Sequence, residues 1–139
     1  MNYNLNRFIE AQKEKFNTAL LEIKNGYKIS HWMWYIFPQL KGLGMSDMAE
    51  YYGIDGIKEA QEYLNNNYLR NNLLRICSEL LLLESNDVKK IFGFPDNLKL
   101  KSCMTLFSYI NPNETIYKEV LNKFYNGEMD ERTIEMLKH

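Results

Sequence analysis

Asn67-Tyr-Leu-Arg-Asn-Asn-Leu-Leu-Arg-Ile-Cys-Ser-Glu-Leu-Leu-Leu-Leu83 is the stretch that decides the fold. Leu69, Leu73, Leu74, Ile76, Cys77, Leu80, Leu81 and Leu83 cover half the circumference of a helix. An apolar face that wide predicts a central helix packed on several sides, with the deepest burial in the molecule. Working outward, Leu5, Phe8, Ile9, Phe16, Ala19, Leu20 and Ile23 form one apolar arc that ends at Gly26, a first helix. Its one irregularity is Gln12, near the middle of that arc.

Further helices are predicted on both sides of the central one. Ser30 is placed to cap a short helix through 31–37, which Pro38 closes. Ser46 is placed to cap a helix to Tyr52, and Asp55 one to Leu64. Ser85 or Asn86 starts a short helix ending near Gly93. Asp96 caps one to Ile110, and Asn111-Pro112 ends it. Ile116 to Phe124 is amphipathic, and Asp130 opens a last short helix. No segment alternates with period two. The expectation is a single all-α domain spanning 1–139, an irregular bundle of about seven helices.

Bulk composition narrows the function classes. The chain has 139 residues, a formal net charge of −1 and 14% aromatic residues. Without a basic excess, general nucleic-acid binding is not expected. No charged-then-apolar leader opens the sequence, and no apolar run approaches the roughly 18 residues of a membrane span. Cys77 and Cys103 fall among apolar neighbours and read as reduced, buried thiols. These features predict a soluble cytoplasmic protein.

Three features carry candidate chemistry. The first is His31 within His-Trp-Met-Trp-Tyr-Ile-Phe, residues 31–37, which holds both tryptophans of the chain. His31 is the candidate acid or base, and Trp34 and Tyr35 are candidate stacking surfaces. The second is the helix beginning at Asp96, with Lys99 and Ser102 on one flank of its apolar arc and Lys101 and Thr105 on the other. Two lysines against the positive end of a helix dipole point to a bound anion or to a solvated surface. The third is Gly42-x-Gly44-x-Ser46, where glycines let backbone N–H groups approach a phosphate. It is neither a Walker loop nor a dinucleotide fingerprint. His31 and His139 have no cysteine or carboxylate cluster at ligand spacing, so no metal site is expected.

The run from Gly26 to Gln39 (Gly-Tyr-Lys-Ile-Ser-His-Trp-Met-Trp-Tyr-Ile-Phe-Pro-Gln) strongly resembles the signature of the domain-of-unknown-function family 1810. So do Gly42-Leu-Gly44, Ala11-Gln12, Tyr52-Gly53-Ile54, Ile91-Phe92-Gly93 and the stretch from Pro95 through Lys99 to Phe107. The resemblance implies a small, largely α-helical protein. It also implies a shared polar site, because Gln12, Lys28, Ser30, His31, Gln39, Lys99 and Ser102 all belong to the motif. The leading expectation is a pocket for a small anionic, nucleotide-like ligand lined by the His-Trp-Met-Trp segment. Gln12 and His31 would lie near Lys99 or Ser102. The rival expectation is a non-catalytic interaction module that uses an exposed aromatic patch.

Overall fold

In the computed structural model, which describes residues 3–139, the central stretch forms helix α5, Asn67–Leu82. Asn66 caps it by accepting from the Leu69 N–H at 3.0 Å. Before it come α1 (Asn6–Lys24), α2 (Met33–Ile36), α3 (Asp47–Tyr52) and α4 (Gly56–Asn65). After it come α6 (Val88–Phe92), α7 (Asp96–Ile110), α8 (Ile116–Tyr125) and α9 (Glu131–Leu137). The all-α, single-domain reading holds. The described residues carry nine helices, one for each segment read as helical in the sequence, so the bundle has nine elements rather than about seven. No helix among them is long and apolar enough to cross a membrane. The only extended pairing among the described residues is an isolated parallel bridge between Leu40 and Ile54.

Helix α5 packs on α1, α4 and α8, as its wide apolar face requires. It is not the most deeply buried element. That place belongs to α7, where every residue from Ser102 to Ser108 is buried and which packs on α4, α6, α8 and α9. Ser102, Thr105 and Ser108 interrupt its apolar pattern and conceal its position. Their hydroxyls are satisfied within the helix or from the loop before α9: Ser102 donates to the Leu98 carbonyl, Ser108 to that of Thr105, and Thr105 accepts from the Asp130 N–H. By contrast the far end of α5 emerges into solvent, with Leu82 75% exposed.

Cap chemistry held in part. Ser46 caps α3 and Asp130 caps α9, through Ala49 N–H and Thr133 N–H respectively. Ser30 does not cap α2, which begins at Met33. Asp87 caps α6 in place of Ser85 or Asn86. Asp96 is the first residue of α7 rather than its cap. Asp55 makes no side-chain cap. Its own N–H donates to Glu59 Oε1 at 2.7 Å, a contact from the fourth residue of the helix, one beyond the position of a capping box. Cys77 and Cys103 are free and buried.

A buried arginine joins α1 to α4 and to the segment before it. All five N–H donors of Arg7 are used: by the Glu59 carboxylate at 2.8 and 3.1 Å, and by the carbonyls of Asn4, Tyr51 and Gly53. The clamp fixes residues 51–53. Ile54 then exchanges backbone hydrogen bonds with Gln39 and Lys41 and so sets the base of the 41–46 loop. Gly53 permits this approach, since a Cβ there would lie 2.6 Å from the Cα of Lys41.

Candidate functional site

The 39–46 loop, the first half of α7 and the start of α9 enclose a cleft of about 450 Å³. Five residues named from sequence line it: Gln39, Gly44, Ser46, Lys99 and Ser102. Leu43, Met45, Pro95 and Leu98 supply apolar wall, and Asp130 and Arg132 close the far side. Other open grooves on the surface have similar volumes, so the lining rather than the size distinguishes this one.

Each wall is set by local structure. Gly44 is held against α3 so closely that a Cβ would meet that of Ala49 at 2.6 Å. The Lys99 ammonium stands 5.3 Å from the centroid of the half-buried Trp34 ring and 3.8 Å from Asp96 Oδ1. Arg132 is exposed, and its guanidinium reaches the Gly42 carbonyl only at 3.5 Å. Asp130 Oδ2 is engaged by the Thr133 N–H and hydroxyl. The cleft therefore presents two lightly engaged cations against one carboxylate committed to a helix cap.

The backbone amides at the start of α7 are not free to receive an anion. Asn97 N–H already donates to the Gly93 carbonyl, and Leu98 and Lys99 N–H both donate to that of Pro95. Asp96 offsets the charge of Lys99 at that end. Any anion here would be held by side chains.

The other sequence candidates lie elsewhere. His31 is exposed, precedes α2 and does not line the cleft. Gly42 faces Met136 rather than the cleft, with φ +100°. Gln12 is buried between helices with both ends of its amide satisfied. It donates to the Tyr35 carbonyl at 2.8 Å and the Tyr63 hydroxyl at 3.0 Å, and accepts from Asn72 at 3.0 Å. None of these partners lines the cleft, so Gln12, His31 and Lys99 do not meet in one site. Tyr35 is buried with its ring 5.2 Å from that of Tyr52 and offers no stacking face.

Lys28 and Ser30 belong to a network centred on Glu22, which was not singled out from sequence. The buried Glu22 carboxylate accepts from Ile29 N–H at 2.8 Å, Ser30 N–H at 2.9 Å, Ser30 hydroxyl at 2.6 Å and Trp32 indole N–H at 2.9 Å. Burial alone would raise its pKa. The Ser30 hydroxyl, the Ser30 and Ile29 N–H groups and the Trp32 indole outweigh that effect and hold it at about 2. Lys28 donates to the Ser30 carbonyl at 2.6 Å and pairs with Asp96 Oδ2 at 2.9 Å. Its ammonium also stands 5.0 Å from the Trp32 ring centroid. Much of the polar content of the 26–34 motif is thus spent on joining α1 to α7. The same test that exposed Gln12, a polar residue beside an apolar arc, would have found Glu22 three residues after Ala19. Arg132 carried no such signal.

The exposed aromatic patch also needs correction. Trp32 is fully buried and Trp34 half-buried; the exposed apolar side chains are scattered and include Met45, Leu82, Ile29, Phe94, Tyr27 and Leu21.

The model of the family described as proteins of unknown function (DUF1810) matches residues 2–137. The chain is also similar to the conserved hypothetical protein Rv1873 from Mycobacterium tuberculosis, whose crystal structure superimposes with a TM-score of 0.96. The two are 38% identical over 99% of this chain and 98% of that one. No curated protein matches.

Proposed function

The chain belongs to the DUF1810 family of proteins of unknown function, and from that premise we propose that the cleft between the 39–46 loop, α7 and α9 binds a small anionic metabolite. One observation carries the reading: Lys99 and Arg132, on different helices, converge on a single cleft with Gln39, Ser46 and Ser102. Arg132 has no carboxylate partner among the described residues and Lys99 only Asp96 at 3.8 Å, and two such cations beside neutral hydrogen-bonding groups suit a phosphate or carboxylate. Leu43, Met45, Pro95 and Leu98 suit a compact, largely aliphatic body.

A stacked nucleobase fits less well than sequence alone suggested. Tyr35 is packed against Tyr52, and Lys99 stands over the Trp34 ring. The role assigned is binding, because His31, the acid or base named from sequence, lies outside the cleft. Native mass spectrometry of freshly purified protein tests the reading. The expected result is a co-purified small anion on the wild type that is absent from Lys99→Ala. A bare mass in the wild type, together with no adduct on adding phosphorylated or carboxylated metabolites, would refute it.

A second reading, a protein partner, is favoured by Met45 at 97%, Phe94 at 69% and Leu98 at 50% exposure. Two of these line the cleft and the third lies just before α7. That partner would dock on the cleft mouth rather than on the His-Trp-Met-Trp segment.

A further inference from the structure

Trp34 presents an unexplained polar atom beside the cleft. Its indole Nε1–H is buried and has no acceptor among the described residues. An unpaired buried donor is uncommon and costly, and a functional site is one of its recognised explanations. Trp32, two residues earlier, shows the ordinary solution, donating its indole N–H to Glu22 at 2.9 Å. Trp34 also lines a void of about 10 Å³ with Met33, Phe37, Gln39 and Lys99. That is close to the smallest space that holds one water-sized oxygen. Gln39, Ala49 and Lys99 line both this void and the main cleft, so the two adjoin.

We infer that Trp34 is a specificity-determining residue of the cleft, its indole N–H taking one oxygen acceptor of a ligand whose anionic group is held by Lys99 and Arg132. The inference rests on the binding reading above and narrows its substrate class. The ligand is a compact metabolite with two oxygen-bearing groups, such as a diphosphate, a dicarboxylate or a hydroxy acid phosphate. A single tetrahedral anion would fill the charged end and leave the indole N–H unmet. Lys99 stands at the junction: its ammonium lies 5.3 Å from the Trp34 ring centroid and the residue lines both the void and the cleft. A site built to hydrogen-bond a group discriminates strongly against ligands that lack it.

Nitrogen-15 NMR of the full chain separates the parts, because its two indole N–H groups give two resonances. Inorganic pyrophosphate is the two-group probe and inorganic phosphate the one-group control. The expected result is that pyrophosphate moves the Trp34 indole resonance together with the Gly44 and Ser102 amides, while the Trp32 resonance stays fixed. Phosphate should move only the two amides. Trp34→Phe, which keeps a ring in place, should weaken pyrophosphate about tenfold, the worth of one hydrogen bond of about 1.4 kcal/mol, and leave phosphate unchanged. If Gly44 and Ser102 respond to pyrophosphate while Trp34 stays still, the cleft binds anions and the role given to Trp34 is wrong. If no resonance moves with either probe, the binding reading and this inference fall together.

Discussion

Two regions of the molecule place polar side chains among aromatics, and they use them in opposite ways. Around Glu22, the polar side chains of residues 28–32 that face inward find protein partners: Ser30 and Trp32 on the carboxylate, Lys28 between Ser30 and Asp96. Around Lys99 and Arg132 the charged groups have only long contacts, 3.8 Å to Asp96 and 3.5 Å to Gly42, and the Trp34 indole N–H has none among the described residues. The first region is saturated and holds helices together. The second keeps hydrogen-bonding capacity in reserve beside an open cleft. Partner count, rather than residue type, separates the polar groups of the two regions.

The largest effect that would sharpen this contrast is expected from Glu22→Ala. It strips acceptors from three backbone or side-chain donors and the buried Trp32 indole, each costing roughly 1–3 kcal/mol when left unpaired. The variant should lose more than about 3 kcal/mol by urea denaturation. A loss below about 1 kcal/mol would show that the network is incidental.

Acid should act on the same region. Glu22 titrates near 2 in the folded chain against 4.5 ordinarily, so the unfolded chain takes up the proton first. Its contribution is complete above about pH 4.5 and is lost as the pH falls towards 2. Urea midpoints followed across that window should drop more steeply for wild type than for Glu22→Gln. Parallel curves would mean that Glu22 is not the carboxylate responsible.

The cleft should behave in the converse way. Lys99→Ala is expected to change folding stability by no more than about 0.5 kcal/mol, while weakening a bound anion by roughly 1.5–3 kcal/mol. Calorimetric titration of both proteins with one phosphorylated ligand measures the second quantity. The smallest effect belongs to His31→Ala. As an exposed residue outside the cleft it should alter stability by under about 0.5 kcal/mol and leave affinity untouched. A binding defect in that variant would break the division drawn between the two regions.

Helices were legible in the sequence because their signals are local. Apolar periodicity, Gly26, Ser46 and Asp130 each act within a few residues. The rank of α7 was obscured by three hydroxyls that bury themselves through local or cross-loop bonds. Half of the cleft was legible for the same local reason: Gly44 and Ser46 lie two residues apart in one loop, and Lys99 and Ser102 share one helical flank. Arg132 was not, since it reaches the glycine loop across 90 residues. Arg7 and Glu59, 52 residues apart, are joined only in the folded chain. Gln12, a polar amide in an apolar arc, does have hydrogen-bond partners, but these are Tyr35, Tyr63 and Asn72, none of which lines the cleft.

The most direct test of the central claim is thermal unfolding of the wild type and of a Lys99→Ala/Arg132→Ala double variant, each across a panel of phosphorylated and carboxylated metabolites. A ligand that binds only the folded state at a hundredfold excess over its Kd stabilises by about 2.7 kcal/mol. The account predicts that at least one compound raises the wild-type melting temperature, while the double variant melts normally when unliganded and fails to respond. Equal responses in both proteins, or none in the wild type, would contradict it.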